Sequence, residues 1–165
     1  MKVAIIMGSD SDFQVVEKGY NILKDFGVEV DVRVISAHRT PDEAISFAKN
    51  AEQNGYELLI GAAGKAAHLP GVLAGCTPLP VIGVPIRSTE LDGMDALLAI
   101  VQMPPGVPVA TVAINGSDNA ALLAVQILSV KYENLRIKFK EYKKQMAEKV
   151  IEKDKKLNEK LKESK

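Results

Sequence analysis

The chain alternates short, densely apolar runs with longer stretches whose apolar residues recur at helical spacing. KVAIIM, residues 2–7, is a continuous apolar run of strand length. DFQVVEKGYNILKDF then places Phe13, Val16, Tyr20 and Leu23 on one helical face, and Gly27 follows as a stop. In VEVDVRVI, Val28, Val30, Val32 and Val34 alternate with Glu29, Asp31 and Arg33. That is the pattern of a strand with one wetter face, which suits an outer position in a sheet. Thr40, Pro41 and Glu43 form a T-x-x-E capping box with proline at the first helical position, so a helix is predicted from there to about Gly55.

ELLIGAA predicts a third strand, followed by the loop GKAAHLPG and a short helix. PVIGVP is the fourth strand, LDGMDALLAIVQ a helix and VPVATVAI the fifth strand. From Asp118, DNAALLAVQILSVKYENLRIKF reads as one long helix without a breaker. Strict alternation of strand and helix implies a parallel sheet with helices on both faces, because each crossover is right-handed and must cover the sheet. The expected fold class is therefore α/β: a three-layer, flavodoxin-like, five-stranded parallel sheet in the order 2-1-3-4-5, with a long C-terminal helix. Residues 1–130 are expected to form a catalytic α/β domain and residues 131–165 a helical extension of it.

Composition changes this picture little. Lysine plus arginine equal aspartate plus glutamate at 21 each, so overall charge gives no pull toward nucleic acid or membrane. The distribution is uneven: residues 131–165 carry 13 basic and 7 acidic side chains, against 8 and 14 in residues 1–130. No apolar stretch approaches the roughly 18 residues of a membrane helix, and VAIIM is too short for a secretory core. A lone cysteine, Cys76, fits a reducing compartment, and a cytoplasmic location is expected.

In an open parallel sheet, ligands bind beyond the carboxyl ends of the strands where the strand order reverses, here between strands 1 and 3. The loops that converge there are MGSDSD, SAHRTP and GAAGKAAHLPG, and they hold both histidines of the chain, His38 and His68. A loop histidine in isolation is most often structural, but two at one sheet edge point to chemistry. MGSDSD resembles a phosphate loop, in which glycine admits close backbone approach, Ser9 and Ser11 offer hydroxyls, and a helix N-terminus supplies N–H donors.

Asp10 and Asp12 would repel phosphate, so at least one is expected to accept hydrogen bonds from ribose hydroxyls instead. Arg39 supplies the missing positive charge with a planar fork suited to phosphate. Ser36 and Arg39 would hold that phosphate while His38, between them, moves a proton on whatever the ribose carries. The glycine- and alanine-rich third loop leaves room for a flat ligand near the backbone, and Gly64, Lys65, His68 and Leu69 join the binding candidates from it. Metal-ligand spacing is lacking, and no metal is expected.

SAHRTP, GSDSD, AAHLPG and QMPPGVPVAT together resemble the purine-biosynthetic 5-(carboxyamino)imidazole ribonucleotide mutases, class I of the aminoimidazole ribonucleotide carboxylase/mutase family, over about residues 3–130. The resemblance implies an isomerase, free of cofactor, that moves a carboxylate from the exocyclic nitrogen of an imidazole ribonucleotide to ring carbon 4. It further implies a homo-octamer with active sites where subunits meet, acting on a small ribonucleotide with neither nucleic acid nor membrane as partner. By motif position Ser9, Asp12 and Arg39 correspond to substrate-binding residues and His38 to the acid/base histidine. Many relatives have glycine where Lys65 stands.

Carboxylase relatives, which use the bare amino compound and carbon dioxide, have lysine in place of Arg39 and lack the A-H-L-P-G turn, so His68, Leu69, Pro70 and Gly71 follow the mutase pattern. A different chemistry, a magnesium-dependent phosphatase using Asp10 and Asp12, leaves His38 and Arg39 without a role. A flavin or nucleotide carrier lacks loop aromatics, since only Tyr56 lies near a strand end. The basic tail, with interspersed acids and few stacking rings, reads as a solvated helix whose stripe of Leu135, Phe139, Tyr142, Met146 and Val150 a partner or the domain could cover.

Overall fold

Strands and helices follow the anticipated order in the computed structural model, which describes residues 1–163: β1 (Lys2–Met7), α1 (Phe13–Phe26), β2 (Glu29–Val34), α2 (Pro41–Asn50), β3 (Leu58–Gly64), α3 (Leu69–Cys76), β4 (Val81–Ile86), α4 (Met94–Val101), β5 (Ala110–Thr111), α5 (Ser117–Leu128) and α6 (Glu133–Glu163). A short 3₁₀ turn, Asp10–Asp12, leads into α1. All neighbouring strands pair in parallel, in the order β2-β1-β3-β4-β5. The chain forms two compact units, Met1–Ala124 and Val125–Lys165, with the division falling inside α5.

In the first unit the central strands are apolar on both faces because helices cover both. Ala4, Ile6, Leu59, Ala63 and Val81 share one core cluster with Ala44 and Ala48 of α2, Leu69 and Leu73 of α3, and Ala96 and Ile100 of α4. Strand residues of the opposite parity, among them Val3, Ile5, Leu58, Ile60, Ile82 and Val84, point to the other face. There α1 contributes Val16, Leu23 and Phe26. Burying each such Leu, Ile or Phe stabilises the fold by about 1.5–3 kcal/mol relative to exposure. β2 lies at the edge as predicted, but its alternation is imperfect: Glu29 and Arg33 are exposed, yet so is Val34, and Asp31 is half-buried against Tyr56 and Lys2.

The buried face of α1 runs through Val16, Gly19, Leu23 and Phe26, while Phe13 is exposed and Tyr20 only half-buried. Gly19 replaces Tyr20 at the centre because α1 meets the start of α5 backbone to backbone, where the Ser117 hydroxyl donates to the Val15 carbonyl. A Cβ on Gly19 would lie 2.4 Å from the Ser117 carbonyl oxygen. Gly19→Ala is therefore expected to destabilise the fold, since overpacking by about 1–3 kcal/mol outweighs the roughly 1 kcal/mol that alanine gains in helix propensity. Urea denaturation measures this, and an unchanged midpoint would mean that the two helices part freely.

Four expectations need correction. The fifth strand, anticipated over VPVATVAI, contracts to Ala110–Thr111: Pro108 lacks an N–H donor at its start, and beyond it the regular ladder gives way to separate bonds from the Val112 and Asn115 N–H groups to the Gly83 and Pro85 carbonyls. Helix α2 stops at Asn50 rather than near Gly55, and turns fill the interval. Its capping box does not form: the Thr40 hydroxyl turns back to donate to the Ser36 carbonyl and accept from the Ser36 N–H, each at 3.0 Å.

In the second unit the supposed unbroken helix from Asp118 ends at Leu128 and restarts at Glu133. Val130 and Lys131 donate to Ile127 and Leu128 in tight i to i−3 bonds. The Arg136 guanidinium donates to the freed carbonyls of Ser129 and Val130, at 2.8 Å and 3.3 Å. Along α6, Leu135 is fully buried and Phe139 and Tyr142 half-buried, whereas Met146 and Val150 are exposed. No described helix is long and apolar enough to cross a membrane.

Candidate active site

The loops after β1, β2, β3 and β4 enclose a cleft of about 790 Å³ at the carboxyl end of the sheet. Ser9, Ser11, Asp12, Ser36, His38, Arg39, Gly64, Lys65 and Leu69 all line it. His68, itself exposed, does not line the cleft but touches a residue that does: His38 Nε2 and His68 Nδ1 are 2.9 Å apart. The two rings meet edge to face at 76°. His68 occupies the position before α3, held there by its N–H to the Ala66 carbonyl.

The SAHRTP turn is tied together internally. The Ser36 hydroxyl accepts from the Arg39 backbone N–H at 3.2 Å and from Arg39 Nε at 3.4 Å. Arg39 Nη2 donates to the Gly8 carbonyl at 2.5 Å, which links the loops after β1 and β2. The guanidinium is thus oriented from two sides at the cleft wall, and Ser36 acts largely by aiming it. Ser11 donates to the Ser9 hydroxyl at 2.8 Å, and Ser9 donates to Asp10 at 3.3 Å, so the two hydroxyls are pre-aligned ahead of α1. Oxygens of an anion placed there would meet the N-terminal end of that helix.

The two aspartates of GSDSD separate in role. Asp10 does not line the cleft, whereas Asp12 does. Partial burial pushes the Asp12 carboxyl above its ordinary range, against hydrogen bonds from Ser9 and Ser11 and the charge of Arg39. A half-buried acceptor beside a cation is placed to take hydrogen bonds from sugar hydroxyls. The paired carboxylates that a phosphatase of the D-x-D kind needs are not presented together. Among the described residues no group of three His, Cys, Asp or Glu side chains is arranged to hold a metal.

Lys65 sits in the left-handed region at φ +52°, where glycine fits without strain. Its Nζ pairs with Glu90 Oε1 at 3.2 Å. The wall also includes Ile86, Arg87, Ser88 and Thr89. None of these was singled out from the sequence, although the carboxyl-end rule applied to β4 points directly at them.

Comparison with known proteins agrees with this geometry. The family model described as AIR carboxylase matches residues 2–149. The chain is 56% identical over 157 residues to the N5-carboxyaminoimidazole ribonucleotide mutase of Pyrococcus horikoshii, covering 95% of this chain and 89% of that one. It is 52% identical to the mutase of the same name from Thermotoga maritima, with 96% and 92% coverage. The crystal structure of Treponema denticola PurE superposes with a TM-score of 0.87 at 36% identity, covering 94% of this chain and 98% of that one. From family model, relatives and fold alike, the chain belongs to the AIR carboxylase family.

Proposed function

We infer that the chain is an isomerase of purine biosynthesis that converts 5-(carboxyamino)imidazole ribonucleotide to 4-carboxy-5-aminoimidazole ribonucleotide. The observation that carries the residue assignments is the His38–His68 pair, bonded at 2.9 Å, with His38 lining a cleft that Ser9, Ser11, Asp12 and Arg39 also line. Phosphate is held by Arg39 and the Ser9 and Ser11 hydroxyls, and Asp12 accepts from the ribose. Gly64, Lys65 and Leu69 line the space left for the ring.

The histidine pair has the property the reaction needs. When His68 Nδ1 accepts, His38 Nε2 carries the shared proton, and His38 Nδ1 of a neutral ring is a base. When His68 Nδ1 donates, His38 Nε2 accepts, and His38 Nδ1–H is an acid. His38 first donates to the carbamate nitrogen. The carbon–nitrogen bond then breaks, with its electron pair returning to nitrogen and carbon dioxide leaving. Ring carbon 4 attacks that carbon dioxide, held close by the cleft walls, and its proton returns to His38 as the ring regains aromaticity. One proton is given and one recovered, so no cofactor is called for.

Assembly as a homo-octamer belongs to the same proposal, supported by exposed Met94, Leu98 and Val101 along α4 and exposed Leu91 in the turn before it, an outer surface too apolar to face water alone. So do a cytoplasmic setting, in keeping with the free Cys76 thiol, and assignment of catalysis to residues 1–130 with 131–165 as their extension. Only His38 among the lining residues carries an aromatic ring, which disfavours nucleic acid as a partner. The test compares kcat/KM for the carboxyamino and amino ribonucleotides, without ATP or metal and with bicarbonate controlled. The mutase should turn over the carboxyamino compound with little dependence on bicarbonate and carboxylate the amino compound efficiently only when bicarbonate is high. A preference for the amino compound at low bicarbonate would make the protein a carboxylase instead.

A further inference from the structure

We propose that the loop after β4 is a second anion-binding pole of the cleft, in which Arg87 reads the migrating carboxylate of the substrate. This rests on the isomerase assignment above and adds to it the residue that distinguishes carboxylated from bare ribonucleotide. The starting observation is backbone strain. Among the described residues, the non-glycine residues with positive φ are Lys65 at 52°, Asp92 at 54° and Asn115 at 57°, and all three support this one loop. Lys65 pairs with Glu90 at 3.2 Å. Asp92 Oδ1 lies 3.1 Å from Arg87 Nε, and Asn115 Oδ1 accepts from the Arg87 backbone N–H at 2.9 Å.

Left-handed conformations cost non-glycine side chains energy and collect where function requires a set geometry. Two residues distant in sequence, Lys65 and Asn115, thus converge on residues 87–92, Asn115 on Arg87 itself, and Asp92 holds Arg87 from within the loop. Ser88 adds a further tie by donating to Asp95 at 3.2 Å. The outcome is a guanidinium anchored through Nε and backbone N–H, with its terminal nitrogens left for a ligand in the cleft that Arg87 lines.

Position assigns it the carboxylate rather than the phosphate. Arg39 stands after β2 and Arg87 after β4, and β1 and β3 lie between them. Three strand spacings amount to about 14 Å, so the two cations address opposite ends of an elongated ligand. The β1 and β2 loops hold the phosphate elements, and His38 reaches from the β2 loop to His68 ahead of α3, on the side of the cleft nearer β4, where the ring carbon it serves must lie. The group at the far end of an imidazole ribonucleotide is the carboxylate being moved, anionic in substrate and in product. The bare amino compound has no charge there.

Equilibrium binding of 4-carboxy-5-aminoimidazole ribonucleotide and of 5-aminoimidazole ribonucleotide to wild type, Arg87→Gln and Arg87→Lys tests the proposal, with thermal melting to verify folding. Arg87→Gln is expected to weaken the carboxylated ligand about tenfold or more, as loss of a charge-assisted hydrogen bond does, and to leave the amino compound within about twofold. Arg87→Lys should recover part of the difference. Equal weakening of both ligands, or of neither, overturns the proposal and leaves the isomerase assignment standing. Failure of both ribonucleotides to bind the wild type overturns the two together.

Discussion

His38→Asn abolishes measurable isomerisation while substrate binding stays within about tenfold of wild type. The expected loss in kcat is about 10²- to 10⁴-fold, the usual worth of a positioned acid/base. Asparagine keeps a polar group in the turn, but it has no lone pair and proton that exchange roles, so neither the step at nitrogen nor the one at carbon 4 is served. Binding survives because Ser36 and the Gly8 carbonyl hold Arg39, and Ser11 holds Ser9, none of them through His38. The diagnostic is a fall in kcat with KM little changed, which separates a missing transition-state interaction from lost binding. Near-normal turnover would remove His38 from the chemistry. Parallel loss of affinity would make it a structural residue of the turn, joined to His68.

Legibility followed the strength of local signals. Strand order, the parallel sheet and the cleft's location were readable because buried strands and strict alternation leave few topologies, and the ligand rule then fixes the edge. That His38, Arg39, Ser9 and Asp12 line the cleft was readable because three short loops concentrate polar groups against an apolar background. What escaped was decided by distant partners. The capping box looked complete in sequence, yet the Thr40 hydroxyl found Ser36 closer to hand. The break at Ser129–Tyr132 contains no glycine or proline, and its stabilising group, Arg136, lies beyond it. β5 carried the composition of a strand, but Pro108 removes a donor at its start and the regular ladder ends at Thr111.

Arg87 escaped for a related reason. Nothing in IRSTE resembles a motif, and its support by Lys65, Asp92 and Asn115, each at positive φ, is visible only in the fold. The His38–His68 pair was half legible. Both histidines were placed at one sheet edge, but that they share a hydrogen bond follows from the start of α3, where His68 precedes Leu69 and Pro70 and turns its ring toward the β2 loop.

Arg39→Ala has the second large effect, and it falls on binding. Removing the guanidinium deletes a charge-assisted contact to phosphate worth about 1.5–3 kcal/mol, or roughly 10- to 150-fold in affinity. The structure adds a further loss, because Arg39 Nη2 also holds the Gly8 carbonyl at 2.5 Å and so fixes the loop bearing Ser9 and Ser11. Arg39→Lys separates the two contributions. Lysine restores a charge but cannot reach phosphate, Gly8 and Ser36 in one plane, so it should recover only part of the affinity. The measurement is equilibrium binding of the product ribonucleotide and of inorganic phosphate to all three proteins. Both ligands should weaken together in Arg39→Ala, since the phosphate is the part being held. A variant that keeps full affinity for phosphate would move the phosphate site away from Arg39. Loss of ribonucleotide binding alone would place Arg39 against the ring.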